Sequence, residues 1–324
     1  MLLFFSAIHL LASEAALAAA VTSAQKPTPV RMEPEEVQRA IWSKVELFST
    51  DLHAVMRNGD GAPRFRLAYM PCRNRGEIPR LILEEARCPY ELEVIGFQVW
   101  KQHMKPHVPY GKLPCLYDFD GLGNALGQEQ AITRFLAQRV GLAGHGAAEQ
   151  AKVDELYSFF FCTLRNNGLS HDGDHYSTAA LKALAETQEV GGSPRPAERL
   201  EYETIFRQNE LPRAERSLAA LGVFEAQLRV SGTGFLVGRS PTYADLALFH
   251  VLWELAEPDK VPDFAARFDL PELGAFLQRM EERPHLREYL RSPRRLPRYA
   301  REVGSGLSTY AYCEGRWSPR PEAR

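Results

Sequence analysis

"RLAYMPCRNRGEIPRLILEEA", Arg66 to Ala86, joins an extended apolar stretch to a helical pattern through a turn rich in arginine. Tyr69 stands where the extended stretch stops, either as a core ring ending a strand or as a hydroxyl held out for chemistry. Outward from it, strand and helix readings alternate between Arg64 and Leu142: "RFRLAYM", a helix from about Gly76 to Arg87, "YELEVIGF", "LPCLYDF", and a helix from Gln128 to Val140. Ile132, Phe135, Leu136 and Val140 form one face of that last helix. Such alternation implies helices packed on a partly parallel sheet.

The flanks read differently. From Glu33 an amphipathic helix is expected, with Val37, Ile41, Val45, Phe48, Leu52 and Val55 at steps of three or four, ending at the turn-forming "NGDGAP" before Arg64. After the glycines of "GLAGHGAAEQ" the chain reads as helical almost to the end, interrupted by a polar connection at about 166–196. "GRSPTYADLALF" carries a helix start in which Thr242 caps and Asp245 reaches back to the cap amide, a structural device that touches no substrate.

Composition narrows the function. The chain has 324 residues, 45% hydrophobic and 25% charged, with a formal net charge of -2, which suits about two globular domains and a small ligand, not nucleic acid. Cys72, Cys88, Cys115, Cys162 and Cys313 show no metal or disulfide spacing. The apolar and then alanine-rich segment 1–24 is too short to span a bilayer and reads as a removable targeting segment for the secretory route or an organelle of plastid type, against a cytoplasmic alternative. "SHDGDHYS" offers His171, Asp172, Asp174 and His175, read as a polar loop and not as a metal site. "DFDGLGNALG" reads as a hairpin turn, and "RSPRRLPRYAR" as a solvated basic surface.

The order of "RLAYMPCRNRGEIPRLILEEA", "WKQHMKPHVPYGKLPCLYDFDG", "GQEQAITRFLAQRVGL" and "GFLVGRSPTYADLALF" resembles the cytosolic glutathione transferase family, in its sigma-like, tyrosine-type branch, over roughly Arg64 to Pro297. The resemblance implies a thioredoxin-like N-terminal domain at 64–143 and an all-helical glutathione-transferase C-terminal domain at 149–297. Around them lie an extension at 25–63 and a tail at 298–324. It implies glutathione as co-substrate, a hydrophobic small molecule as second substrate, and a homodimer, with a possible further partner for the 33–57 helix.

By the same resemblance Tyr69 is the catalytic tyrosine. A hydroxyl donating to the glutathione sulfur favours the thiolate, which is the nucleophile. Arg75 would add positive charge beside it; otherwise it is a solvated arginine or a partner of Glu77. Trp100 and Lys105 would bind the glycyl end. Lys112, Leu113 and Pro114 would offer Leu113's backbone to the cysteinyl unit if Pro114 is cis. Gln128 and Glu129 open the third helix, where the γ-glutamyl carboxylate is received, and Asp154 matches an aspartate that crosses the dimer interface to the γ-glutamyl amine. Glu129 stands where the family usually has serine, and a carboxylate there opposes binding unless it is turned away, protonated or bridged. Tyr157, Phe160 and Leu164 could line an acceptor pocket, although an aromatic stripe at this spacing is more often core. Cys72 is the alternative catalyst, in a thiol transferase. A non-catalytic binding or assembly module is the other alternative, suited by Glu129, the 166–196 insertion, the first helix and a tail with Tyr310, Tyr312 and Trp317.

Overall fold

The computed structural model describes residues 26–42, 51–165, 178–187, 211–258 and 260–298, with the backbone of 310–313 and 316–319. Segment 1–24, expected to be a targeting segment, the "SHDGDHYS" loop and most of the 166–196 insertion lie outside these residues. A six-stranded sheet has the order β1-β2-β4-β3-β5-β6. Its strands are Val30–Arg31 (β1), His53–Asn58 (β2), Phe65–Tyr69 (β3), Tyr90–Ile95 (β4), Cys115–Tyr117 (β5) and Leu126–Gly127 (β6). The helices are Pro34–Trp42 (α1), Asn74–Glu85 (α2), Glu129–Val140 (α3), Gly146–Thr163 (α4), Thr178–Thr187 (α5), Leu211–Ser231 (α6), Tyr243–Leu255 (α7), Phe264–Arg267 (α8), Pro271–Glu281 (α9) and Pro284–Leu290 (α10). Tyr310–Cys313 (β7) and Arg316–Pro319 (β8) pair as a separate antiparallel hairpin.

β3 pairs in parallel with β4 and antiparallel with β5, and β5 with β6, so β4-β3-β5-β6 forms the thioredoxin-like sheet followed by the helical domain. Leu67 and Tyr69 face the main core, whereas Ala68 faces a smaller cluster with Ile95, Met104, Val108 and Cys115. This is the period of two that a strand imposes. The "DFDGLGNALG" hairpin is as expected: Asp118 Oδ1 accepts from the Gly123 amide at 2.7 Å, and Asp120 accepts from the Leu122 amide at 3.0 Å.

The extension differs from its sequence reading. The expected helix over 33–57 is present as α1 at Pro34–Trp42, residues 43–50 lie outside the described residues, and residues 53–58 are a strand paired with β4 from His53↔Ile95 to Asn58↔Tyr90. Leu52 and Val55 fit helical spacing by coincidence, since a few apolar residues satisfy either period. The sheet therefore begins before Arg64, and the extension covers the β4 edge that would otherwise present unpaired backbone. Val37 and Ile41 of α1 are fully buried in this chain's own core.

α7 is buried along its whole length and organises the second domain. Its start is held by Asp245, which accepts from the Thr242 amide at 2.8 Å, the Thr242 hydroxyl at 2.7 Å and the Leu236 amide at 2.8 Å. The domain junction is charged. Glu77 of α2 accepts from Tyr289 at 3.1 Å, Arg295 at 3.3 Å and Arg80 at 3.4 Å. Burial alone would raise its carboxyl, but Arg80 and Arg295 outweigh it and hold the group below its ordinary range. The basic run at the end of α10 is consequently not a solvated surface. Arg295 and Arg298 are buried, and Arg294 pairs with Glu84 at 3.1 Å.

Candidate active site

Tyr69 closes the central strand β3, and five residues later α2 begins at Asn74, which has φ 42°. This tight entry brings the first turn of α2 back onto the tyrosine. The Arg75 amide donates to the Tyr69 hydroxyl at 3.1 Å, and the Tyr69 side chain packs closely against Gly76. A Cβ at Gly76 would stand 2.5 Å from Tyr69 Cδ1, so only glycine admits this approach. The amide occupies one lone pair of the phenol oxygen and leaves its own proton for another acceptor. Burial pushes the Tyr69 phenol well above its ordinary value, Cys72 and Glu129 add to this, and Arg75 opposes it. At neutral pH Tyr69 is therefore a neutral hydrogen-bond donor.

The residues expected to hold the rest of a peptide ligand follow β4. Trp100, half-buried, packs on the Ala68 and Met104 cluster in the irregular helical segment 97–111. Lys105 and Lys112 are exposed, and Lys105 lies along Gly111, where a Cβ would meet its Cγ at 3.3 Å. The Leu113–Pro114 bond is cis, with Pro114 buried and Leu113 packed between both core clusters. Gln128, exposed at the start of α3, is held at φ 71° and ψ 120°, a sparsely populated conformation for a residue other than glycine.

Glu129, the first residue of α3, is bridged. Arg165, beyond the end of α4, donates to Glu129 Oε2 from Nε at 3.0 Å and from Nη2 at 2.9 Å, and its guanidinium lies 5.4 Å from the centre of the Phe161 ring. The two side chains are 1% and 4% exposed, so the carboxylate is balanced by a full positive charge within the fold. Arg165 is the functional-site residue that the sequence reading did not find. Its partner is 36 residues away in the chain, and no local pattern marks it.

Residues 196–293 match the family model described as "Glutathione S-transferase, C-terminal domain". Probable glutathione S-transferase 5 of Caenorhabditis elegans is 30% identical over 227 residues, covering 70% of this chain and 95% of that protein. The chain belongs to the glutathione S-transferase family. Glutathione S-transferase 1 of Ascaris suum is 28% identical, with 70% of this chain and 96% of that protein aligned. Among solved structures, a nematode-specific glutathione S-transferase of Caenorhabditis elegans superimposes with a TM-score of 0.51 at 28% identity, covering 69% of this chain and 94% of its own. A glutathione S-transferase of the hookworm Necator americanus described as monomeric has a TM-score of 0.51 at 26% identity, over 69% of this chain and 95% of its own.

In this glutathione S-transferase the residues expected to line a pocket along α4 are core residues among the described part of the chain. Tyr157, Phe160 and Leu164 are buried in the main core, with Tyr157 stacked on Phe160 at 6.0 Å and edge-on to Tyr243 at 5.0 Å. Their spacing presents them to α7, as a stripe at helical period normally does. Asp154 is anchored within its own chain: its Oδ1 accepts from Arg134 Nε at 2.5 Å and from the Tyr243 hydroxyl at 2.9 Å. Glu77, the alternative partner weighed for Arg75, is instead taken by Arg80, Arg295 and Tyr289. Cys72 is buried, at 3% exposure, which does not suit a thiol that must meet a disulfide in solution. Among the described residues no group of three or more His, Cys, Asp or Glu side chains could hold a metal ion.

Proposed function

We propose that this chain transfers glutathione to an apolar electrophile, with Tyr69 stabilising the thiolate. The phenol keeps its proton and donates a hydrogen bond to the glutathione sulfur, whose own thiol proton passes to solvent. The thiolate then attacks an electrophilic carbon, forming a carbon–sulfur bond as a leaving group departs with its bonding pair or the electron pair of an activated double bond shifts and is protonated by solvent. A free thiol titrates about 1.5 units above neutral pH, and a fixed donor makes up that difference. The observation that carries the reading is the Tyr69 hydroxyl, which is buried, accepts the Arg75 amide at 3.1 Å and is kept protonated. Arg75 favours the thiolate through its charge. Trp100 and Lys105 would take the glycyl end, and the Lys112–Pro114 step, through Leu113 beside cis-Pro114, the cysteinyl backbone. The first turn of α3, behind Gln128, would take the γ-glutamyl end.

The names of the nematode relatives support glutathione as the co-substrate. The sigma-like, tyrosine-type branch, assembly as a homodimer, and delivery by the N-terminal segment are parts of the same proposal. The binding-module alternative drew its main support from an unbalanced carboxylate at Glu129, and the Arg165 pair removes that support. The test is the ultraviolet difference spectrum of glutathione on protein lacking residues 1–24, titrated with pH for wild type and Tyr69→Phe. A bound thiol ionising about two units below free glutathione, with the shift lost in the variant and turnover down about a hundredfold, is expected. No saturable thiolate signal at millimolar glutathione would refute it.

A further inference from the structure

The turn that carries the reacting groups is tied down by the far end of the chain's helical domain. Arg73 lies between Tyr69 and Arg75 and is 3% exposed. Its amide donates to the Pro297 carbonyl at 2.8 Å, and its guanidinium donates to Glu257 Oε1 at 2.6 Å. Glu257, just past the end of α7, gives its other oxygen to Arg298. One buried carboxylate thus joins the reacting turn to the segment 291–298.

That segment is itself held at successive points. The Arg294 carbonyl accepts from Arg80, the Arg294 side chain reaches Glu84 at 3.1 Å, and Arg295 reaches Glu77 at 3.3 Å. From the other side Gln38 of α1 donates to the carbonyls of Pro293 at 3.0 Å and Arg295 at 2.6 Å. The C-terminal-domain match covers residues 196–293, so the strap straddles its end, while α1 belongs to the extension ahead of β2 and β3. The N-terminal extension therefore grips a strap that in turn grips the Tyr69 turn.

We propose that the 291–298 strap, through Arg298 and Glu257 acting on Arg73, positions Tyr69 and Arg75 for the transfer reaction. The physical reason is geometric. A charge pair sequestered from water is satisfied in only one arrangement, so it fixes register even where it adds little stability. Tyr69 sits on a strand and is placed by the sheet, but Arg75 and the amide that aligns the phenol ride on the turn. Arg73, Glu257 and Arg298 are positioning residues, which need touch neither substrate. A displacement of about 1 Å in the turn is enough to cost between ten- and a hundredfold in rate.

The inference rests on the transferase reading above, so its test has one readout that needs glutathione and one that does not. Arg298→Gln removes the strap's charge but leaves Glu257 paired with Arg73, and Arg298→Lys restores the charge. Arg283→Gln breaks another, less buried junction pair, with Glu85, away from the turn. Expected for Arg298→Gln are faster amide hydrogen exchange over residues 73–76, a bound-thiol pKa raised by about one unit, and kcat/KM lowered at least tenfold. Arg298→Lys should recover part of each, and Arg283→Gln should lower the melting temperature without moving any of them. If Arg298→Gln changes only the melting temperature, the positioning role is overturned. If wild type shows no bound thiolate, the transferase reading fails, and exchange over 73–76 still decides whether the strap holds the turn.

Discussion

Arg165→Met should be the most revealing single change in this protein, because it isolates Glu129 without altering that residue. The pair is almost wholly covered, with side chains 1% and 4% exposed, and both guanidinium bonds converge on one carboxylate oxygen at 2.9 and 3.0 Å. An exposed pair would contribute no more than about 1 kcal/mol. Removing one partner of a buried pair leaves an uncompensated charge and costs about 3–5 kcal/mol, whereas replacing both by apolar groups is often neutral. Arg165→Met and Glu129→Leu should therefore each destabilise by about 3 kcal/mol, and the double variant by far less than their sum. Urea unfolding of the four proteins measures the coupling, and calorimetric titration with glutathione supplies a functional arm. Arg165→Met, which removes this cation from the carboxylate at the start of α3, should bind glutathione more weakly, with recovery in the double variant. Strictly additive stability losses, or a single loss under about 1 kcal/mol, would refute the claim that Arg165 neutralises Glu129.

Gly76→Ala improves helix propensity by about 1 kcal/mol, yet its methyl would meet the Tyr69 ring 2.5 Å away, so it should destabilise by about 1–3 kcal/mol and lower turnover; thermal melts and rate assays check both. Asp245→Ala should cost about 2–4 kcal/mol in urea unfolding, because three donors converge on that carboxylate. Burial pushes the Asp245 carboxyl up to about 6 although the Leu236 amide and Thr242 bond it, so the folded state binds its proton more tightly than the unfolded chain does. Its proton-linked contribution is complete below about pH 4 and lost as pH rises through about 6. The stability gap between wild type and Asp245→Asn should accordingly narrow from pH 4 to pH 7, and a gap that widens over that range would contradict the assignment.

Local signals account for what could be read without coordinates. Tyr69, the turn to Arg75, the Leu113–Pro114 step and the Thr242 to Asp245 box each lie within a few residues of the features that define them. Hairpin chemistry in 118–124 was legible for the same reason. Strand β2 was not. Its apolar residues fit a helix as well as a strand, and only pairing with β4, more than thirty residues later in the chain, selects the extended form. The α4 stripe of Tyr157, Phe160 and Leu164 showed that one face is buried but not against what.

The sequence by itself determined the two-domain order, the hairpin turn at 118–124 and the helix start at Thr242, because propensity, capping and turn chemistry act over short distances. Tertiary structure alone decided which charges meet. Arg165 answers Glu129, Arg298 and Arg73 share Glu257, and a basic run that would be solvated in isolation is enclosed by α1 and α2. An arginine carries no mark of its partner in its neighbours along the chain. Its environment is set by elements that arrive from remote sequence, and burial then turns a marginal surface interaction into one that fixes geometry.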